Sequence, residues 1–175
     1  MLISNGKNNL CAMKRIGILS DTHSHLDKKV LGHLKNCDEI WHAGDIGSPE
    51  VIDKLCEISQ VRAVYGNIDG QNIRSFLPEI QLFEVEGSKV LMTHIAGYPG
   101  RYNSKVRNLI EEFKPDIVVC GHSHILKIIY DKKLSHLHIN PGAAGISGFH
   151  RIRTMVRLSV DRGKLSDMEV VEMKR

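Results

Sequence analysis

The chain has 175 residues, 42% of them hydrophobic and 25% charged. That is the balance of a globular domain with a real core, not of a disordered or fibrous chain. No apolar run approaches the roughly 18 residues of a membrane helix, and a formal net charge of +4 is too slight for a dedicated nucleic-acid surface.

Residues 1–12 are polar and Asn-rich and lack the apolar segment of a secretory signal. They read as a disordered extension, with Met13 an alternative start to Met1 and a single domain over 13–175. From there strands and helices alternate. A strand is expected near 15–20, a helix near 27–36, a strand over 39–42, a helix over 49–58 and a strand over 61–65. Ser48-Pro49 has the form of a helix start, a cap followed by proline in the first turn. Alternation of this kind implies parallel strands joined by crossover helices. After Ile80 the pattern changes to a hairpin, 80–86 with 88–94, turning at Glu86-Gly87-Ser88. A helix near 103–113 follows, with Val106, Leu109, Ile110 and Phe113 on one face. Strands near 117–121, 125–130, 135–139, 153–160 and 164–172 complete the chain. The fold class is α/β, a four-layer α/β/β/α sandwich of two mixed sheets flanked by helices.

Five of the apolar runs stop at a residue able to bind a cation. They lead into Asp21-Thr22-His23, Asp45, Asn67, His94 and His122-Ser123-His124. Ligands of open α/β sheets collect at the carboxyl ends of strands. Asp21 and His23, and likewise His122 and His124, are expected to share a side of an extended segment. Gly44 and Gly66 precede Asp45 and Asn67 and permit a crowded approach. Two Asp, one Asn and four His are too many ligands for one cation and suggest two. The mixed imidazole and carboxylate set disfavours Mg²⁺ or Ca²⁺ alone; it suits Mn²⁺ first, with Ni²⁺, Fe or Zn²⁺ as alternatives. Two divalent cations, two carboxylates and a bridging hydroxide leave a surplus of about one positive charge, which suits a singly charged phosphodiester.

Taken together, Asp21-x-His23, Gly44-Asp45, Gly66-Asn67-x-Asp69, His94 and Gly121-His122-Ser123-His124 occur in the order of calcineurin-like metallophosphoesterases. The chain resembles that family's small single-domain bacterial and archaeal phosphodiesterases over about residues 14–172, including the turn Asn140-Pro141-Gly142. The resemblance implies that Asp21, His23, Asp45 and His124 hold one cation. It implies that Asp45 bridges to a second cation completed by Asn67, His94 and His122, and that a hydroxide held between the metals is the nucleophile. Many members carry a histidine after the motif asparagine; here Ile68 stands there. Loss of a general acid costs about 10²–10⁴ in rate, so good leaving groups are expected to be favoured. Asn67, Asp69 and His25 are the candidate catalytic residues beside that hydroxide: His25 is the nearest alternative proton donor, and Asp69 is expected to orient neighbouring groups more than to act as a base. The rival reading is a non-catalytic metal-binding scaffold, like the phosphoesterase-like subunit of retromer. The expected partner is a small phosphodiester, with neither membrane nor nucleic acid; a homo-oligomer is left open.

The remaining polar residues have plainer expectations. His42 is expected to be packed or to orient a neighbour, His33 to lie on the surface, and His136 and His138 to be exposed on one strand. His150 is placed near the site by the loop after Asn140. Tyr98, Arg101 and Tyr102 are read equally as substrate contacts or as surface. Arg151, Arg153, Arg157, Arg162 and Lys164 are expected to form a solvated face. Cys37, Cys56 and Cys120 are expected to be small buried hydrophobes, and the absence of any CxxC pattern suits a reducing cytoplasm.

Overall fold

Period-two alternation in the first strand sets the layering. In β1 (Lys14–Leu19), Ile16 and Ile18 point into one apolar layer and Leu19 into another. A computed structural model describes residues 13–175; the extension expected over 1–12, with Met1 and Cys11, lies outside the described residues. β1 pairs in parallel with β2 (Glu39–His42), and β2 with β3 (Gln60–Ala63). The connecting α1 (Lys28–Leu34) is capped by Asp27, whose carboxylate accepts from Lys29 and Val30 N–H. Pro49 opens α2 (Pro49–Cys56), where its missing N–H has no intrahelical role. A one-turn helix, α3 (Gln71–Arg74), follows β3; four residues hold too little periodicity for the sequence to have announced it.

The second sheet begins with the expected hairpin, β4 (Ile80–Val85) and β5 (Ser88–Thr93). Then come α4 (Ser104–Phe113), β6 (Ile117–Val119), β7 (Leu126–Asp131) and β8 (His136–Pro141). β9 (Ile152–Asp161) and β10 (Lys164–Lys174) return to the first sheet. The strand orders are β10-β9-β1-β2-β3 and β4-β5-β6-β8-β7. Parallel strands β5, β6 and β8 form the centre of the second sheet, with antiparallel β4 and β7 at its edges. Both sheets are therefore mixed, as expected.

Three apolar layers hold the four structural layers together. Val30, Leu34, Val51 and Leu55 of α1 and α2 pack on the outside of the first sheet. Ile16, Ile18, Trp41 and Val156 meet Val90, Met92, Ile117 and Val119 between the sheets. Val106 and Ile110 of α4 pack beneath Leu91 and Val118. Trp41 lies edge-on to Phe83 at 5.2 Å between ring centroids, tying β2 of the first sheet to the edge strand β4 of the second.

Some expectations are corrected. Arg153 is 1% exposed instead of solvated; its guanidinium donates to Asp27 and to the Ala144 carbonyl, both at 2.7 Å. The pair locks β9 to the start of α1, and Arg153 holds the Asp27 carboxyl well below the usual range. Cys56 is exposed, because it ends α2 on the face away from the core, whereas Cys37 and Cys120 are buried. His136 and His138 are buried as well. They face Tyr102, whose hydroxyl is 2.8 Å from His136 Nε2 and 3.1 Å from His138 Nδ1. An aromatic side chain from the Gly97–Asn103 loop thus covers the strand face that alternation alone left open.

Candidate metal centre

The parallel strands of both sheets aim their carboxyl ends at one edge of the sandwich, and the loops that follow are stitched by main-chain bonds. Asp21 N–H donates to the Gly44 carbonyl, His23 N–H to that of Asp45, and Gly121 N–H to that of His94, each at 3.0 Å. Gly145 N–H donates to the Asp21 carbonyl at 3.1 Å. Six candidate ligand residues from four segments of the sequence are brought together in this way.

The local geometry differs from the extended segments expected. Asp21, His23, Asp45, His122 and His124 all have positive φ, between 46° and 72°. In the left-handed region the chain turns back at each ligand, so side chains two apart converge through curvature and not through strand alternation.

Two groups result. The ligand atoms of Asp21, His23 and His124 lie within 4.8 Å of one another, as do those of Asp45, His94 and His122. The groups interlock. Asp45 Oδ1 is 3.1 Å from His94 Nε2, and Asp45 Oδ2 is 3.7 Å from His23 Nε2. Asp21 Oδ1 is 3.2 Å from His124 Nε2 and 4.0 Å from His94 Nε2. Asn67 is on the exposed lip, lining a cleft with Thr93, His94 and Arg74.

Orientation of the donors fits cations. His94 Nδ1 is 2.8 Å from the Ala43 carbonyl; a carbonyl can only accept, so Nδ1 carries the proton and Nε2 offers a lone pair. Ser20 Oγ and His122 N–H both donate to Asp21 Oδ2, at 2.6 and 3.1 Å, leaving Oδ1. Asp21 Oδ1 and His94 Nε2 are buried without a hydrogen-bond partner. They are close to other ligand atoms but out of line for hydrogen bonds, as atoms aimed at a common centre are. Stranding such groups costs about 1–3 kcal/mol each, a cost that a bound cation removes. The residues present therefore fit a metal pair.

The electrostatics point the same way. Burial opposes ionisation of Asp45, but His94, the Ile68 N–H and His23 outweigh it and hold the carboxyl below its usual range. Burial likewise lowers His94, yet Asp45 and Asp21 pull it above the ordinary imidazole value. His124 is raised by its contact with Asp21. Negative charge in this pocket thus awaits positive charge.

The residues around the ligands do structural work. Asp69 is buried; one oxygen accepts from Gly66 and Ile46 N–H (2.7 and 3.2 Å), the other from Gly47 N–H (2.8 Å). It clamps the loop carrying Asn67 to the loop carrying Asp45. His42 is also buried, with Nδ1 accepting from Gly44 N–H at 3.2 Å and Nε2 facing Thr22 Oγ1 at 2.9 Å. Burial pushes its pKa down to about 4, so it stays neutral. Asn140 donates to the Gly121 carbonyl and to Ser123 Oγ, at 2.7 and 3.1 Å, fixing the turn that carries His122 and His124. Gly66 is obligatory, since a Cβ there would land on the Asp45 carboxylate.

His25 is partly buried at the rim, 3.6 Å from Asp27 Oδ2, and belongs to neither ligand group. His150 stacks edge-on against His124, 5.3 Å between ring centroids, and bonds the Gly145 carbonyl. Tyr98 is on the surface and Tyr102 turns away toward His136 and His138. Sequence reasoning missed Ser20, Thr22 and Arg74. Ser20 and Thr22 flank Asp21, a position that signals little alone. Arg74 is on the unforeseen α3 and donates to the carbonyls of Gly66, Asn67 and Asp69.

Comparison with known proteins agrees with this geometry. The family model for the calcineurin-like phosphoesterase superfamily domain matches residues 13–163. A probable metallophosphoesterase of Methanothermobacter thermautotrophicus is 31% identical over 163 residues, 89% of this chain and 91% of that protein. A phosphodiesterase of Methanocaldococcus jannaschii is 28% identical over 144 residues, 73% of this chain and 82% of its own length. Among solved structures, a zinc complex of Vps29 from Entamoeba histolytica superposes with a TM-score of 0.72 at 16% identity. That match covers 91% of this chain and 98% of the other, and at such identity it speaks to the fold alone. Sequence, fold and ligand constellation agree: the chain belongs to the calcineurin-like phosphoesterase superfamily.

Proposed function

We propose that this chain, as one domain over residues 13–175, is a dinuclear metal-dependent phosphodiesterase acting on small phosphodiesters. The observation that carries the reading is the position of Asp45, whose two oxygens face His94 and His23, one member of each ligand group. Asp21, His23 and His124 would hold the first cation, and His94, His122 and Asn67 the second, with Asp45 between them. The donor set favours Mn²⁺, followed by Ni²⁺, Fe or Zn²⁺. When bound, such a pair supplies Lewis-acid charge to the phosphoryl oxygens and lowers the pKa of the attacking water. Asp21 and Asp45 offset part of that charge and leave a surplus matched to a singly charged diester. Asp69 and Asn140 hold the ligand-bearing loops in register. Ile68 is apolar and exposed where a proton donor would stand, so the enzyme favours leaving groups that depart unprotonated. His25 is the candidate donor in its place. A cytoplasmic setting accords with the unpaired thiols of Cys37, Cys56 and Cys120.

The apolar Ile68, exposed where a proton donor would stand, favours one second reading, a metal-binding scaffold without turnover. A single panel separates the two: bis(4-nitrophenyl) phosphate against 4-nitrophenyl phosphate, each with Mn²⁺, Ni²⁺, Zn²⁺ or chelator. Chelator-sensitive turnover with preference for the diester is expected. Metal binding without turnover of any ester would favour the scaffold.

A further inference from the structure

Beside the metal ligands, on the side of His122, the surface opens into a cavity of about 260 Å³. Its walls come from the loop after β5 and from the turn leading into β7. Three large apolar side chains converge there and remain in contact with water: Ile95 at 45% exposure, Tyr98 at 42% and Ile125 at 64%. Exposed apolar groups grouped around a polar centre mark a binding surface more often than chance. Lys127 fixes one rim, its Nζ 4.5 Å from the centroid of the Tyr98 ring.

His138 reaches this cavity but offers it little polarity. His136 Nδ1 faces the Leu134 carbonyl at 3.4 Å, which assigns its proton there and leaves Nε2 to accept from the Tyr102 hydroxyl. The Tyr102 oxygen then accepts from His138 Nδ1–H, and the His138 Nε2 lone pair faces Cys120 Sγ at 3.8 Å. Both nitrogens of His138 are thereby engaged, so the floor of the cavity behaves as an apolar surface.

A second cleft, beyond His94, has the opposite character. It has a volume of about 320 Å³ and is lined by Asn67, Arg74, Glu79 and Thr93. Ile95 borders both clefts. The metal ligands thus stand between one apolar and one polar recess, and a phosphodiester carries two substituents.

We propose that the cavity beside His122 seats an aromatic ring carried on one ester group of the substrate, and that Ile125 and Tyr98 determine this specificity. The proposal rests on the phosphodiesterase reading and adds the substrate class to it. The volume lies below the roughly 300–1,000 Å³ of a drug-sized site and therefore suits one ring system, with the more hydrophilic substituent directed toward Arg74. The ring belongs either to a plain aryl ester or to a nucleoside; flatness and apolar surface are common to both.

Phosphinates test the proposal without catalysis, because their carbon–phosphorus bonds are not hydrolysed. The full chain loaded with Mn²⁺ is titrated calorimetrically with dimethylphosphinate, methyl(phenyl)phosphinate and a thymidine methylphosphinate whose 5′-carbon is bonded directly to phosphorus in place of the 5′-oxygen. The ring-bearing ligands are expected to bind about tenfold tighter than dimethylphosphinate, the return on burying one ring face in an open cleft. Ile125→Ser and Tyr98→Ser are each expected to shrink that ratio severalfold; both side chains are exposed, and a thermal melt verifies that the variants fold. A stronger preference for the thymidine ligand than for the phenyl one supports a nucleoside source, and equal preference supports a plain aryl source. Equal affinity of all three ligands, the outcome if the patch instead serves to dock a protein, overturns the proposal. So does a ratio unchanged in both variants. Absence of binding by every ligand to the metal-loaded protein sinks the phosphodiesterase reading as well, whereas binding without preference sinks this proposal alone.

Discussion

Replacing Asp69 by Asn separates a positioning residue from a catalytic one. The carboxylate accepts three backbone N–H groups, two on one oxygen and one on the other. An asparagine of the same shape keeps the two-bond oxygen by placing its carbonyl toward Gly66 and Ile46. Its NH₂ then confronts Gly47 N–H, donor against donor, and the negative charge is gone. Loss of one charge-assisted bond and stranding of one buried N–H together cost about 2–3 kcal/mol. For a chain of this size that lowers Tm by roughly 4–12 °C, readable by calorimetry on the metal-free protein. The loops bearing Asp45 and Asn67 lose their shared clamp, so Mn²⁺ affinity should fall about 10–100-fold, as for other groups that orient metal ligands. Diester turnover at saturating Mn²⁺ should return to within a few-fold of the unmodified protein, because no proton or substrate contact has been removed. A variant with unchanged Tm and unchanged Mn²⁺ affinity would refute the clamp. Normal affinity with turnover that saturating metal does not restore would make Asp69 a direct participant in the reaction.

Three further outcomes are expected. Burial, with His136 and Lys127 adding to it, pushes the pKa of His138 down to about 4 from an ordinary 6.5. Between those values the unfolded chain binds the proton and the folded one does not, so this contribution is complete above pH 6.5 and is lost as pH falls, by about 2 kcal/mol at pH 5. Urea midpoints from pH 7.5 to 5 should show a decline that His138→Gln flattens; identical slopes would contradict the assignment. Arg153→Met leaves the Ala144 carbonyl and Asp27 without their partner, and because Asp27 is partly exposed the loss is about 2 kcal/mol, measurable as a shift in urea midpoint. Ile68→His restores a donor near the cleft and should raise turnover of alkyl diesters by at least tenfold more than that of aryl diesters; equal gains on both would remove the leaving-group account.

Much of this architecture was legible because burial on both faces leaves a plain signature. β1, β2, β5 and β6 are short apolar runs stopped by turn residues, and the change from alternating helices to hairpins after Ile80 separates the two sheets. The seven ligand candidates were legible for a related reason, since each follows an apolar run. What escaped the sequence depends on contacts between distant segments. His136 and His138 looked exposed because alternation reports which residues share a face, not what covers it; Tyr102, more than thirty residues earlier, covers them. Arg153 looked like one charge on a basic face, but its partner Asp27 is 126 residues away. α3 is too short for any period, and with it went the placement of Arg74 beside the cleft.

The deeper miss concerns the backbone at the ligands, and it explains the choice of residue types. Five candidate ligand residues adopt positive φ, a conformation costing a non-glycine residue about 1–2 kcal/mol. Summed, that strain is comparable to the net stability of an ordinary domain. The bonds from Asp21, His23 and Gly121 N–H to neighbouring loops must offset it, with Asp69 and Asn140 adding to them. Asp, Asn and His are also the non-glycine residues most often found in the left-handed region. On the proposed reading, one side chain at each of positions 21, 23, 45, 122 and 124 would meet two demands, presenting a cation ligand and tolerating the turn that aims it. Glu offers the same carboxylate as Asp but lacks the ease in that conformation. Asp21→Glu or Asp45→Glu would keep the charge and lose the geometry, which separates the demand of the metal from the demand of the main chain.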